Sequence, residues 1–135
     1  TALGIAHGNR PSVLLTGDLA FLHDSNGLLI RPKFEGHLTV ILINNEGGGI
    51  FNHLPVSQFD PVFEEFFATP QQVDFQKLVE STGCEFLKVF RPDDLAPLLS
   101  SFPERGIRVI EVETDRHQDS DYRRTLFLEI SQSLL

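Results

Sequence analysis

Two short polar motifs stand where apolar runs end, and their side chains are the ones best suited to chemistry. Gly17-Asp18 follows the apolar run 12–16, and Asn44-Asn45 follows the longer run 38–43. The Asn pair is followed by Glu46 and by Gly47-Gly48-Gly49, which lets the backbone turn and present a carbonyl. Carboxylate, amide and carbonyl oxygens are the ligands that Mg²⁺ prefers. Amides at a helix start favour phosphate, and a cation between phosphate and Asp18 would relieve their repulsion, so a site for a divalent cation and phosphate is predicted.

The elements around these motifs alternate between strand and helix, which predicts an α/β fold with a parallel sheet flanked by helices. In such sheets ligands bind at the carboxyl ends of strands, which is where both motifs stand. Gly17-Asp18 alone is an ordinary turn signal, so the predicted site for a cation and phosphate depends on the two strands being neighbours in the sheet. The expected helices cover 1–8, 20–31, 74–82, 93–102 and 117–134, the expected strands cover 12–16, 38–43, 85–90 and 107–112, and the Phe-rich segment 50–72 is expected to be irregular.

Local signals add detail to this pattern. Gly8-Asn9 is expected to stop the first helix, Pro32 to close the second, and Asp74 or Thr69 to cap the third. Run 12–16 is expected to be a buried strand because it is short and apolar. One face of the last helix is expected to carry Tyr122, Leu126, Ile130 and Leu134, whereas Asp115, Asp119 and Asp121 are expected to form a solvated acidic face.

Composition excludes several classes of protein. The chain has 135 residues, 41% of them hydrophobic, with a net charge of −8 and a pI near 5.0, so we expect one domain that binds no nucleic acid. No apolar run approaches the roughly 20 residues of a membrane helix, so no membrane span is expected. The single cysteine, Cys84, allows no internal disulfide and no thiolate zinc cage, which favours a cytoplasmic location. The chain contains no Met and begins inside a small-residue helix, so we expect a C-terminal fragment of a longer protein.

The two motifs together resemble the signature of thiamine diphosphate enzymes. That signature is Gly-Asp-Gly followed, after a stretch of this length, by Asn-Asn; here Leu19 replaces the second Gly, and residues 20–43 separate the halves. With Leu19 in that place, the segments Leu22–Leu28 and Ile43–Phe51 are similar to the 2-succinyl-5-enolpyruvyl-6-hydroxy-3-cyclohexene-1-carboxylate synthases of menaquinone and phylloquinone biosynthesis. Phe63–Phe67, Thr69-Pro70 and Asp74-Phe75 continue the resemblance, which covers residues 1 to about 115.

The resemblance implies the C-terminal, diphosphate-binding domain of a three-domain transferase, which spans residues 1–135 here. It implies that Asp18, Asn45 and the Gly47 carbonyl hold Mg²⁺ or Mn²⁺. It further implies that the cofactor contacts Gly17, Asp18, Leu19, Ala20, Asn45, Gly47 and Ile50, and that Ile50, Phe51 and Leu54 line the substrate cavity. The family decarboxylates 2-oxoglutarate and adds the resulting succinyl carbanion equivalent to isochorismate in 1,4 fashion; the cofactor performs the carbanion chemistry.

The resemblance also implies what this chain lacks. The Glu that activates the cofactor belongs to an N-terminal pyrimidine-binding domain, so no catalytic residue is assigned to this chain, and by itself it is expected to be inactive. A homodimer or homotetramer is expected. Glu46 is expected to have a structural role, and none of the five histidines is assigned to catalysis, although His53 lies nearest the Gly-rich turn.

Three alternatives stay open. The chain fits the cofactor domain of another thiamine diphosphate enzyme, such as an acetolactate synthase. It also fits a non-catalytic α/β binding module, although the joint presence of Asp18 and Asn44-Asn45 disfavours that class. A general nucleotide-binding module is disfavoured because the chain has neither a Gly-x-Gly-x-x-Gly pattern nor a phosphate-loop Lys.

Overall fold

Four parallel strands form one sheet in the order β1-β2-β4-β3 in the computed structural model, which describes residues 1–8 and 10–134. The strands are β1 Ser12–Gly17, β2 His37–Asn44, β3 Glu85–Val89 and β4 Gly106–Glu113. Gly17 pairs with Ile43, and Asn44 pairs with Glu113, so β1, β2 and β4 end at the same edge. The predicted α/β class and the neighbouring positions of β1 and β2 are confirmed.

The helices are short except for the last. They are α1 Ala2–Ala6, α2 Asp18–Asp24, α3 Phe75–Ser81, α4 Leu95–Ser100 and α5 Arg116–Ser133. The 3₁₀ segments are Ser25–Lys33, Gly49–His53, Pro55–Gln58 and Pro92–Asp94, and a π-helix covers Glu64–Ala68. Among the described residues, no helix is both long and apolar enough to cross a membrane.

The chain divides into two compact units. The sheet unit comprises Thr1–Asn44 and Val73–Glu113, and the loop unit comprises Asn45–Gln72 and the chain from Thr114 onward. The fold of the sheet unit follows from the apolar run in β2, whose Val40 and Leu42 are 2% and 0% exposed. One face of the sheet packs on α1, α2 and α3, and on the other face Arg108 donates to the Leu98 carbonyl of α4 at 2.8 Å.

Several expected details of the sheet unit are confirmed. Gly8 has a left-handed φ of 67° where α1 stops, whereas Asn9 lies outside the described residues. The carboxylate of Asp74 caps α3 by accepting the Lys77 N–H at 3.0 Å, and Thr69 does not serve as that cap.

Two expectations for the sheet unit are wrong. β1 is not buried, because it is the edge strand of the described sheet, and Leu15 is 67% exposed. The second helix begins at Asp18, and after Asp24 it becomes a 3₁₀ helix that contains Pro32 and does not stop before it. A proline removes only one N–H donor from so short a segment, so it is tolerated there.

The loop unit is more ordered than the sequence predicts, because the segment expected to be irregular forms two 3₁₀ helices and one π-helix. Asp115 and Asp121 are exposed, as expected of a solvated acidic face, whereas Asp119 is half-buried and its Oδ2 accepts the Thr114 hydroxyl at 2.8 Å. The Asp115 carboxylate also caps α5 by accepting the His117 and Gln118 N–H groups at 2.8 and 3.0 Å, and these bonds lower its pKa. The side chains expected on one face of α5 are all exposed: Tyr122, Leu126, Ile130 and Leu134.

Candidate functional site

Gly17 and Asp18 lie where β1 ends and α2 begins. Asp18 is only 5% exposed, and its Oδ1 accepts the Leu19 N–H at 2.8 Å. Gly17 has φ −84° and ψ 166°, an extended conformation that is open to any residue. Apart from the two chain neighbours of Gly17, no atom of the described residues lies within 4 Å of the position that a Cβ on Gly17 would take. The missing side chain therefore leaves open space beside Asp18.

Asn44 ends β2 and is bonded within the sheet unit. Its Nδ2 donates to Oε1 of the buried Glu111 at 2.8 Å. The Lys88 ammonium lies 3.4 Å from Glu111 Oε2 and also pairs with Glu113. The hydrogen bond to Glu113 and the charges of both carboxylates raise the pKa of Lys88. The sequence indicated none of these pairings, since each joins residues on different strands.

Glu46 and Gly47 begin the turn of the loop unit with left-handed φ angles of 58° and 127°. A Cβ on Gly47 would lie 2.2 Å from the Ala68 carbonyl oxygen, which also accepts the Gly48 N–H at 2.7 Å. The turn is thus packed backbone to backbone against the end of the π-helix. Only glycine fits at position 47.

Gly49 makes room for the side chain of Asn45. A Cβ on Gly49 would lie 2.6 Å from Asn45 Nδ2. Asn45, Gly49, Ile50 and His53 line a cavity of about 220 Å³, whose other walls come from α5: Arg116, Asp119, Ser120 and Arg123. Asn45 and Ile50, both predicted to contact the cofactor, therefore line one cavity, together with Arg116 and Arg123, which no motif of the sequence indicated.

Arg116 is 9% exposed and connects two parts of the loop unit. Its guanidinium pairs with Glu64 of the π-helix and donates to His117 Nε2 at 3.2 Å. Its Cβ lies 3.1 Å from the position that a Cβ on Gly49 would take. Neither spacing nor local pattern predicts this pair, since 52 positions separate its members.

The aromatic side chains near the turn divide into packed and exposed groups. Phe63 is 2% exposed and stacks on Phe67, which meets the ring of Phe51 edge to face at a centroid distance of 6.1 Å. Phe51 itself is 37% exposed, Leu54 47% and Ile50 73%. The three side chains predicted to line a substrate cavity thus form an accessible apolar surface on the loop unit.

Other titratable groups offer no metal centre of their own. Across residues 1–8 and 10–134, no group of three His, Cys, Asp or Glu side chains is placed to hold a metal ion. Cys84 is buried as expected, and desolvation raises the pKa of its thiol, which keeps it protonated near neutral pH.

Comparison with known proteins places residues 1–112 in the family model described as "Thiamine pyrophosphate enzyme, C-terminal TPP binding domain". The chain is similar to 2-succinyl-5-enolpyruvyl-6-hydroxy-3-cyclohexene-1-carboxylate synthases of Gloeothece citriformis, with 56% identity over 93% of the chain, and Trichodesmium erythraeum, with 54% over 91%. The Synechococcus elongatus synthase is 51% identical over 97% of the chain. The chain spans only 21–22% of the length of these relatives.

The fold also matches a solved structure, the thiamine diphosphate-dependent 4-hydroxybenzoylformate decarboxylase of Rhodococcus jostii RHA1. The TM-score is 0.66 over 84% of this chain and 22% of that one. At 21% sequence identity this likeness concerns the fold alone.

Proposed function

The chain belongs to the thiamine pyrophosphate enzymes, in the family of their C-terminal TPP-binding domain, and on that premise we propose that it is the diphosphate- and metal-binding domain of a 2-succinyl-5-enolpyruvyl-6-hydroxy-3-cyclohexene-1-carboxylate synthase. The observation that carries the proposal is the pairing of β1 with β2, since their ends bear the two halves of the motif, Gly17-Asp18 and Asn44-Asn45. Sequence identity above 50% over most of the chain to two enzymes with this name supports this synthase over other thiamine pyrophosphate enzymes.

In this proposal Asp18, Asn45 and the Gly47 carbonyl hold Mg²⁺ or Mn²⁺, and the metal connects the chain to the cofactor diphosphate. The donor set fits, because all three groups offer the hard oxygens that these ions prefer. Gly17, Leu19 and Ala20 would contact the diphosphate. The space left open above Gly17 suits the close approach of a phosphate oxygen.

When bound, thiamine diphosphate supplies the electron sink for decarboxylation, and the protein supplies position and electrostatics. The substrates would be 2-oxoglutarate and isochorismate. Ile50, Phe51 and Leu54 would line the substrate cavity and exclude water, with Ile50 also touching the cofactor. Their exposed apolar side chains and the partial packing of Phe51 on Phe67 support this assignment.

The remainder of the active site would come from elsewhere. We propose that an N-terminal pyrimidine-binding domain supplies the activating carboxylate and that the whole enzyme is a cytoplasmic homodimer or homotetramer. That the relatives are more than four times as long as the matched segment supports a further domain. Residues 1–135 alone are then expected to have no synthase activity.

An assay of carbon dioxide release tests the proposal. The full-length enzyme, with thiamine diphosphate and Mg²⁺, should decarboxylate 2-oxoglutarate and form the adduct with isochorismate. Residues 1–135 alone should release none until the N-terminal part is supplied in trans. Preference for pyruvate over 2-oxoglutarate would favour an acetolactate synthase-like enzyme instead, and turnover by residues 1–135 alone would contradict the division of the active site.

A further inference from the structure

Glu111 is a buried acidic residue to which the proposed function gives no role. It lies near the carboxyl end of β4, is 5% exposed, and pairs in register with Leu42 on one side and Lys88 on the other. Taking a carboxylate out of water costs several kcal/mol unless partners compensate it. Glu111 therefore depends on the groups that contact it.

Those contacts join three strand ends. Oε1 of Glu111 accepts the Asn44 amide at 2.8 Å, and Oε2 lies 3.4 Å from the Lys88 ammonium, which also pairs with Glu113. Asn44 closes β2, Lys88 is the next-to-last residue of β3, and Glu113 closes β4. The four side chains form one charge-assisted network along the edge at which the proposed ligands begin.

The adjacent residues Asn44 and Asn45 have different contacts and, we expect, different roles. The side-chain amide of Asn44 donates to the Glu111 carboxylate, whereas the side chain of Asn45 lies beside Gly49 in the turn that follows β2. We propose that Glu111 is a positioning residue which, through Asn44, fixes the end of β2 and thereby the metal-dependent binding of thiamine diphosphate. This inference rests on the proposed function.

Exchanging donor and acceptor tests the proposal. Asn44→Asp places two carboxylates side by side and removes the hydrogen bond. In the double variant Asn44→Asp/Glu111→Gln, the new amide donates to the new carboxylate, so one bond is restored with its direction reversed and the charge near Lys88 is kept. In the full-length enzyme, at saturating thiamine diphosphate, Asn44→Asp should raise the Mg²⁺ concentration at half-maximal cofactor binding about 10–100-fold. The double variant should return it to within about threefold of the wild-type value.

Val79→Ala provides the control for a mere loss of stability. Val79 is fully buried in α3, and truncating it lowers the midpoint of thermal unfolding without touching the network. Its Mg²⁺ titration should stay at the wild-type value. Unfolding midpoints of the unliganded variants are measured alongside.

Three results would overturn the inference. If Asn44 were itself a metal ligand, Asn44→Asp would bind Mg²⁺ at least as well as the wild type. If the network served only stability, Asn44→Asp would melt earlier but titrate normally, as Val79→Ala does; and a double variant no better than Asn44→Asp would exclude the pairing. Failure of the wild-type enzyme to bind thiamine diphosphate with Mg²⁺ would instead refute the proposed function, and this inference with it.

Discussion

The sheet unit and the loop unit, each considered by itself, are stabilised internally by different kinds of interaction. In the sheet unit, β2 is buried by apolar packing, with Val40 and Leu42 almost inaccessible to solvent. In the loop unit, the turn at Gly47 rests on the backbone of Ala68, and the buried Arg116 pairs with Glu64. Apolar cores tolerate changes that keep volume, whereas a backbone-to-backbone contact tolerates no added atom. The two units should therefore respond differently to equivalent substitutions.

The glycines at 47 and 17 offer the sharpest contrast. Gly47→Ala adds a Cβ 2.2 Å from a carbonyl oxygen at φ 127°, so it should lower the free energy of unfolding by about 3 kcal/mol or more and abolish cofactor binding. In Gly17→Ala the new Cβ meets no described residue other than its chain neighbours within 4 Å, and φ is ordinary, so the variant should be neutral or stabilised by up to about 1 kcal/mol. Urea unfolding and thiamine diphosphate titration measure both effects.

Gly17→Ala carries a second expectation. If diphosphate approaches the backbone there, the variant should bind the cofactor more weakly even though it is stable. Wild-type affinity in Gly17→Ala would remove Gly17 from the cofactor site, and a fully stable Gly47→Ala would contradict the packing of the turn.

Two phenylalanines of the loop unit separate packing from substrate contact. Phe63→Ala removes a ring that is 2% exposed, so it should lower the free energy of unfolding by about 3–5 kcal/mol. Phe51→Ala, at 37% exposure, should cost less stability but impair turnover with isochorismate more than cofactor binding. Steady-state kinetics below each melting midpoint, together with thermal unfolding, distinguish the two. A Phe51→Ala variant with normal kinetics would make that residue a packing residue only.

A smaller effect is expected from pH, and it belongs to the sheet unit. Burial, helped by the Arg108 guanidinium, holds the pKa of His37 below its ordinary value of 6.5. Between the folded pKa and 6.5 the unfolded chain binds more protons, so this contribution to stability is full above 6.5 and falls as the pH drops through that window. His37→Gln should flatten the dependence of the urea midpoint between about pH 7.5 and about pH 5.5. The exposed His23→Gln is the control, and identical pH slopes in both variants would exclude His37 as the titrating group.

What the sequence predicts differs between the two units for a physical reason. The run 38–43 and the Asp74 cap are local signals, and both are confirmed in the sheet unit. The exposure of β1 could not be predicted, because strand order is a property of the whole sheet. The Arg116–Glu64 pair could not be predicted either, since its members come from distant segments of the chain.

In the candidate site, too, the features with a local sequence signal could be predicted, and those that depend on contacts between strands could not. The positions of Asp18 and Asn44-Asn45 at the ends of neighbouring strands were predictable from apolar runs followed by polar residues. The engagement of Asn44 with Glu111 was not, because it depends on the register of β2 with β4.

The central claim is that Asp18 anchors a metal-dependent cofactor, and calorimetric titration of the full-length enzyme with thiamine diphosphate and Mg²⁺ tests it most directly. Wild-type protein should bind only when metal is present. Asp18→Asn should weaken cofactor binding by at least about 100-fold, because loss of a residue that only supports a metal ligand typically weakens metal binding by about 10–100-fold. Excess Mg²⁺ should relieve the loss in part. Asp24→Asn, which changes an exposed carboxylate of the same helix, should bind like wild type. Wild-type affinity in Asp18→Asn would contradict the account.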